Sequence, residues 1–316
     1  MKISIAIATY NGEKYIKKEL QSMLKQTLPV DEIIISDDGS NDSTIKEIES
    51  LHESRITIVT DNQRHGFCGN FENAVRHCTG DYIFIADQDD LWTEDKVEKV
   101  VGFFQMNPTA TCVFHDAFFI GKNDEVLDNV KEQFNIAQGV KQGILLDKEY
   151  LEPAVSAPLA RGMCMCITRS LLDIALPFPK CNTMHDQWLM FCSLCSNSCF
   201  YLDQKLTMYR LHGDNTAGVN EYKGTLKQRV LRIYKRAMSS KHYSFDLYYL
   251  GNSMKLILEK YHLEDTHAYM TALRVCEIGE KEKEAFESGR IKGAAKLIQL
   301  YCTDMRYRRS GRKAIF

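Results

Sequence analysis

Short apolar runs alternate with helix-patterned segments through the first hundred residues, and no other property of the chain restricts its fold as much. Ile3–Ala8, Glu32–Ser36, Ile56–Thr60 and Tyr82–Ala86 read as buried strands. Glu13–Lys25, Asp42–Leu51, Phe67–Cys78 and Glu94–Met106 read as helices. The first helix carries Ile16, Leu20, Met23 and Leu24 on one face, and the second has Asp or Ser available as its cap. Strands apolar along their whole length need cover on both faces, which predicts an α/β three-layer sandwich around a mostly parallel central sheet. In such sheets ligands sit beyond the carboxyl ends of the strands.

Past Ala110 the pattern loosens. Thr111–Ile120 and Met163–Thr168 read as strands and His185–Ser196 as a helix, while the polar stretch Gly121–Gly143 reads as a hairpin or loop. Beyond Tyr222 the chain turns rich in lysine, arginine and leucine. Its helical candidates there are Leu226–Met238, Tyr243–Tyr261, Thr266–Ser288 and Ile291–Thr303. The expected division is an α/β body over residues 1–218 and a helical C-terminal appendage over residues 219–316.

The strand tips carry the chemistry. Strand one ends in Ala8-Thr9-Tyr10-Asn11-Gly12, a sharp turn that exposes backbone amides and an aromatic ring. Strand two ends in Ser36-Asp37-Asp38-Gly39-Ser40, where a carboxylate can accept a nucleobase imide N–H while Tyr10 stacks on the base. Read alone, that motif is an ordinary turn with a helix cap. Strand four ends in Ala86-Asp87-Gln88-Asp89-Asp90. Asp87 and Asp89 project from one face about 7 Å apart, poor neighbours unless a cation lies nearby. Mg²⁺ and Mn²⁺ take carboxylate and phosphate oxygens together. Asp90 suits a solvated turn capping the next helix.

These motifs, with His-Asp-Gln-Trp at 185–188 and Tyr-Arg-Leu-His-Gly-Asp-Asn-Thr at 209–216, make residues 1–218 resemble the family 2 inverting glycosyltransferases of the GT-A fold. The extended Asp-Gln-Asp-Asp-Leu-Trp form at 87–92 is similar to bacterial rhamnosyltransferases that build surface polysaccharides. The resemblance implies a nucleotide-sugar-binding half over 1–115 and an acceptor-binding half over 116–218. It implies that Thr9, Tyr10 and Asp38 hold the base and ribose, with Asp37 able to substitute for Asp38. Asp87 faces ribose or metal, Asp89 binds the metal directly, and Asp186 is the catalytic base. His212 is a metal or diphosphate contact, with Arg210 two residues before it. The implied cofactor is Mn²⁺ or Mg²⁺. The implied partners are a nucleotide-sugar donor (dTDP-rhamnose or a UDP-hexose) and a glycan or lipid-linked glycan acceptor. The family's usual Glu-Asp pair at the base site is His-Asp here. As Asp186 opens a helix, the helix dipole should favour its ionised form. Two other readings stand beside this one: a sugar-nucleotide pyrophosphorylase, and a non-catalytic carbohydrate- or partner-binding protein on the same fold. The first would place a glycine- and arginine-rich phosphate loop where Asn11-Gly12-Glu13 stands.

Charge and cysteine usage bound the partners. The 40 Lys+Arg against 42 Asp+Glu leave a net charge of −2, so nucleic-acid or membrane binding needs a local patch. One exists: Lys223–Lys241 holds seven basic residues and no acidic one, with Leu226, Val230, Ile233, Tyr234 and Ala237 at helical spacing. Arg306, Arg308, Arg309, Arg312 and Lys313 form a second cluster. Such a helix either lies on an anionic membrane surface or packs its apolar stripe on the body, and the appendage is also a candidate for self-association. No groove-reading module accompanies the charges, so nucleic acid is not an expected partner. The eleven cysteines sit mostly in apolar stretches, without a secretory leader or a bilayer-length apolar run. Free buried thiols in a cytoplasmic protein, peripheral at most to the inner membrane face, are the expectation. Cys192, Cys195 and Cys199 read as core, not as a metal cluster, and Trp92, Trp188 and Phe191 also read as core.

Overall fold

In the computed structural model the described residues are 1–61, 64–127, 150, 151, 154, 160–179, 185–212 and 246–287. They fall into two compact units, one of Met1–Phe178 with Met184–Asn215, the other of Pro179–Thr183 with Thr216–Phe316.

The first unit is a curled sheet with helices on its faces. Its elements run β1 (Ile3–Thr9), α1 (Ile16–Leu24), β2 (Glu32–Asp37), α2 (Thr44–Glu49), β3 (Ile56–Val59), α3 (Phe67–His77), β4 (Tyr82–Ala86), β5 (Leu91–Trp92), α4 (Lys96–Met106) and β6 (Cys112–Ile120). A short 3₁₀ turn, Gly162–Cys164, leads into β7 (Met165–Thr168), α5 (Arg169–Ala175), α6 (His185–Cys195) and β8 (Cys199–Arg210). The sheet order is β3-β2-β1-β4-β7-β6-β8-β5. The β3-β2-β1-β4 block is wholly parallel, as its continuous Ile and Val runs require. Ile3, Ile5, Ile7, Ile33, Ile35, Phe84 and Ala86 pack on Ile16, Leu20, Val97, Val100 and Val101 to form the core.

Beyond β4 the sheet turns mixed. β7 is antiparallel to both β4 and β6, while β8 runs parallel to β6 with register shifts on either side of Asp116. The two-residue β5 then pairs antiparallel with β8, Leu91 against Met208 and Trp92 against Thr207. This pairing brings the end of β8 back over the acidic turn after β4.

Several elements differ from the sequence reading. β5, α5 and β8 were not anticipated, and the strand expected over Met163–Thr168 begins only at Met165 because Gly162–Cys164 coil into the 3₁₀ turn. Trp92, Trp188 and Phe191 are core residues, and the nine described cysteines are all free, with only Cys276 partly exposed.

The second unit is described over α7 (Asp246–Lys260) and α8 (His267–Glu287), an antiparallel pair close to the helices expected at Tyr243–Tyr261 and Thr266–Ser288. Met254, Leu258, Leu263, Ala268, Ala272 and Val275 are buried. No helix among the described residues is long and apolar enough to cross a membrane. The basic segment Lys223–Lys241, the helices expected at Leu226–Met238 and Ile291–Thr303, and the cluster Arg306–Lys313 lie outside the described residues.

Candidate active site

The loops after β1, β2 and β4 are tied to one another by side chains. Gln88 is the central clip: its Oε1 accepts from Thr9 Oγ1 at 2.6 Å and from the Tyr10 N–H at 2.9 Å, while its Nε2 donates to the Tyr10 carbonyl at 3.1 Å. Gly12 makes room for this clip, since a methyl group on its Cα would stand 2.4 Å from Gln88 Oε1. The Asn11 N–H donates to Ser40 Oγ at 2.8 Å, and the Asn41 N–H donates back to Asn11 Oδ1 at 2.9 Å, which joins the β1 and β2 loops. Helix α3 lies against both strands, with Asn70 Nδ2 donating to the Thr9 carbonyl and Asn73 Nδ2 to Ser36 Oγ. Tyr10 stays 53% exposed and so presents its ring to solvent.

The two carboxylates after β2 are placed differently. Asp37 is buried and accepts from the Gly39 N–H, the Ser40 N–H and Ser40 Oγ, so it serves its own turn. Asp38 reaches outward, with Oδ1 2.7 Å from His65 Nδ1 and Oδ2 accepting from the Gly66 N–H at 2.8 Å.

After β4 the carboxylates crowd. Asp87 is pushed up to about 7 by desolvation and by the charges of Asp89 and Asp186, against the pull of Arg161 and Lys96. Among the described residues no hydrogen-bond donor meets the Asp87 carboxylate. Asp89 Oδ2 lies 2.7 Å from His212 Nε2. Asp90, expected as a solvated cap, is instead fully buried. Its Oδ1 accepts the Arg210 N–H at 2.8 Å, its Oδ2 has no hydrogen-bond partner among the described residues, and desolvation raises its pKa well above the usual value. The β5–β8 pairing is the reason, because it closes β8 over the acidic turn.

Arg210 is 0% exposed. Its Nε donates to the Asp89 carbonyl at 2.7 Å, and its Nη1 to the Gly121 carbonyl and to Asp124 Oδ1 at 3.1 and 2.5 Å. The guanidinium therefore ties the Asp89 turn to the Gly121–Asp124 turn. Tyr15 stands between the guanidinium, 4.6 Å from its ring centre, and the His212 ring at 5.3 Å.

Deeper still lies an unanticipated pair, Lys96 and Glu19, both fully buried. Lys96 Nζ donates to the Met163 carbonyl at 2.8 Å and Thr207 Oγ1 at 2.9 Å, and it sits 3.6 Å over the Trp92 ring. Desolvation pushes Lys96 down to about 8 and drives Glu19 well above its usual range, the latter helped by Asp90, Asp89 and Asp87.

Asp186 lies in the first turn of α6 with 2% exposure. Its Oδ1 accepts from the Gln187 N–H at 2.7 Å and its Oδ2 from the Gly162 N–H at 3.1 Å. Desolvation pushes its pKa up to about 6 despite those bonds and despite Arg161. The expectation that the helix start favours ionisation is thus corrected: burial outweighs the dipole. A carboxyl that titrates near 6 suits proton abstraction close to neutrality.

Sequence reasoning passed over Gln88, Lys96, Arg161 and Gly162. Only Gln88 left a local signal, being the residue between the paired aspartates.

Residues 4–164, just over half of the chain, match the family model described as glycosyl transferase family 2. The chain is similar to the dTDP-rhamnosyl transferase RfbG of Shigella flexneri, 29% identical over 229 residues that span 68% of this chain and 74% of that one. It is similar to the uncharacterized glycosyltransferase alr2836 of Nostoc sp., 28% identical over 221 residues, covering 68% and 66% of the two chains. A shorter match, 29% over 127 residues and 40% and 47% of the two chains, is to the Escherichia coli UDP-Glc:alpha-D-GlcNAc-diphosphoundecaprenol beta-1,3-glucosyltransferase WfgD. Among solved structures, S. aureus TarS 1-349 in complex with UDP-GlcNAc aligns with a TM-score of 0.54 at 16% identity, over 98% of this chain and 92% of that one. The mannosyltransferase PcManGT of Pyrobaculum calidifontis, in complex with GDP-Man and Mn2+, aligns with a TM-score of 0.51 at 18% identity, over 98% and 82%. The fold is that of the GT-A glycosyltransferases.

Proposed function

Since the chain belongs to glycosyl transferase family 2, we propose that it is a metal-dependent inverting enzyme that moves a sugar from a nucleotide diphosphate to a hydroxyl of a growing surface polysaccharide or lipid-linked glycan. The observation that carries this is electrostatic: Asp87 feels both Asp89 and Asp186, so the leaving-group side and the base side belong to one cluster.

Thr9 and Tyr10 hold base and ribose, Asp38 accepts the base imide N–H, and Asp37 braces the loop that presents Asp38. A divalent cation fits the acidic tip, where desolvation and the charges of Asp89 and Asp186 outweigh the pull of Arg161 and Lys96 on Asp87. Asp89 and His212, with Asp87 beside them, would hold it. No group of three or more His, Cys, Asp or Glu among the described residues is arranged to hold a metal ion, so these residues would offer at most two ligands, Asp89 and His212. That suits Mg²⁺ or Mn²⁺, which take one or two carboxylates and complete their shell with phosphate oxygens and water. When bound, the ion supplies Lewis-acid stabilisation of the departing diphosphate. Asp186 takes the proton of the acceptor hydroxyl as it attacks from the opposite face. A single displacement inverts the anomeric centre, by the logic of one-step glycoside hydrolysis.

The relatives' names support dTDP-rhamnose or a UDP-hexose as donor and a diphosphate-lipid-linked sugar as acceptor. Such an acceptor lies at a membrane surface, to which the basic segment Lys223–Lys241 would bring the enzyme. The test is product formation from dTDP-rhamnose, UDP-glucose and UDP-N-acetylglucosamine, with and without Mn²⁺ or Mg²⁺, on a synthetic lipid-diphosphate-linked N-acetylglucosamine. Asp186→Asn should bind donor normally and lose about 10²–10⁴-fold in kcat. Undiminished transfer by that variant would sink the base assignment, and donor binding without turnover by the native chain would favour a binding protein.

A further inference from the structure

His185, where the resembling family usually has Glu, is buried at 5% exposure, and neither ring nitrogen has a hydrogen-bond partner among the described residues. One face of the ring stacks on Phe71 of α3, centroids 3.6 Å apart at 24°. Its edge abuts Gly162 so closely that a methyl group there would stand 2.4 Å from Nε2 and 3.1 Å from Cε1. Burial pushes the imidazole down to about 3, so it stays neutral at ordinary pH.

Gly162 does two things at once. Its lack of a side chain leaves the space that the imidazole edge occupies, and its N–H donates to Asp186 Oδ2. The residue before the base therefore presses on the residue that holds the base. An aliphatic side chain would fill this volume without leaving two buried nitrogens unsatisfied, at about 1–3 kcal/mol each. Such a cost persists where the surroundings over-determine the conformation, a common feature of active sites.

We propose that His185 is a positioning residue: a flat wedge clamped between Phe71 and Gly162 that holds the Gly162 N–H against the Asp186 carboxylate and so sets the base's orientation and proton affinity. This rests on Asp186 being the base. Among the described residues the charged groups that face Asp186 are Arg161, ahead of the 3₁₀ turn, and Asp87, after β4, and the wedge variants alter neither.

The experiment uses the full chain, with Mn²⁺, UDP-glucose or dTDP-rhamnose, and lipid-diphosphate-linked N-acetylglucosamine, read as kcat against pH, with donor Kd by calorimetry. Gly162→Ala should keep donor Kd and lose at least about tenfold in kcat. The acid limb of its profile should move away from about 6. His185→Ala should also lose activity and displace the limb, and regain part of the activity with added pyrazole, a flat ring that stays neutral. The double variant should lose less than the product of the two single losses, since removing the ring relieves the clash. If Asp186→Asn transfers sugar normally, the base reading itself fails. If Asp186→Asn is inactive but Gly162→Ala keeps the native kcat and acid limb, only the wedge is overturned. Should Gly162→Ala no longer bind donor, His185→Ala decides: an unmoved acid limb overturns the proposal and a displaced one supports it.

Discussion

His212 Nε2 lies 2.7 Å from Asp89 Oδ2, a contact between residues 123 positions apart. It exists because β5 pairs with β8 immediately after the acidic turn, with Leu91 against Met208 and Trp92 against Thr207. Arg210 then reinforces the closure by binding the Asp89 carbonyl and the Asp90 carboxylate.

The pair should behave as a metal-binding unit. Asp89→Asn and His212→Ala are each expected to weaken Mn²⁺ binding about tenfold or more, with the double variant little worse than Asp89→Asn, because the ligands act as one set. Electron paramagnetic resonance of free Mn²⁺, titrated with UDP present, measures this directly. Native affinity in Asp89→Asn would exclude the site.

Protonation of Asp87 should show in stability. Its folded pKa is raised to about 7 from a usual 3.8, so its contribution is full at low pH and is lost as pH rises toward 7. His185, lowered to about 3, has the opposite sense: its contribution is lost as pH falls from about 6.5 toward 3. The clean readout is therefore the difference in Tm between native protein and Asp87→Asn in chelator. The advantage of the Asn variant should grow with pH through that window, and Mn²⁺ should shrink it by stabilising the ionised native carboxylate. A pH-independent difference would contradict the assignment.

Gln88→Ala unclips Thr9 and Tyr10 from the turn that carries Asp89. Stability should fall by about 1–3 kcal/mol, since the Thr9 hydroxyl and Tyr10 amide lose their acceptor. Donor affinity should fall about tenfold with a smaller change in kcat, measured by UDP titration calorimetry beside steady-state kinetics. The reverse split, with kcat lost and UDP binding intact, would show that Gln88 acts on the chemistry instead.

Lys96→Met should be the most destabilising of these changes. It leaves Asp90 and Glu19 facing each other without the buried cation that offsets them. The expected loss is about 3–5 kcal/mol in urea, the usual cost of removing one partner from a buried charged set. A loss below about 1 kcal/mol would mean that the acids are held neutral without help from Lys96.

Much of the first unit was legible because its strands are written in β-branched residues, as in Ile3–Ala8 and Glu32–Ser36, and its helices in a 3.6-residue period. The strand-tip aspartates were legible because each set directly follows an apolar strand, as Asp37-Asp38 follows Glu32–Ser36 and Asp87-Gln88-Asp89-Asp90 follows Tyr82–Ala86. β8 was not. Asp203-Gln204-Lys205 interrupts its apolar pattern at the register shift opposite Asp116, so neither an apolar run nor a clean alternation survives. Lys96 and Glu19 look like solvated helix residues, because the groups around the Lys96 ammonium come from positions 67 and 111 residues away. The fate of Asp90 and Arg210 was hidden for the same reason. Burial of a charge is a property of the closed sheet, whereas spacing reports only on the local element.

The dependence of the acidic turn on β8 reaches back to the ribosome. Asp87, Asp89 and Asp90 emerge early in synthesis, more than a hundred residues before Arg210 and His212. Until β8 docks, the turn has no lid and Trp92 has no strand partner. A chain cut short before Arg210 therefore carries these three carboxylates on an unfinished sheet edge, with apolar surface exposed. Closure of the acidic turn waits on synthesis of β8, because the contacts that Arg210 and His212 make with Asp89 and Asp90 form only once that strand is present.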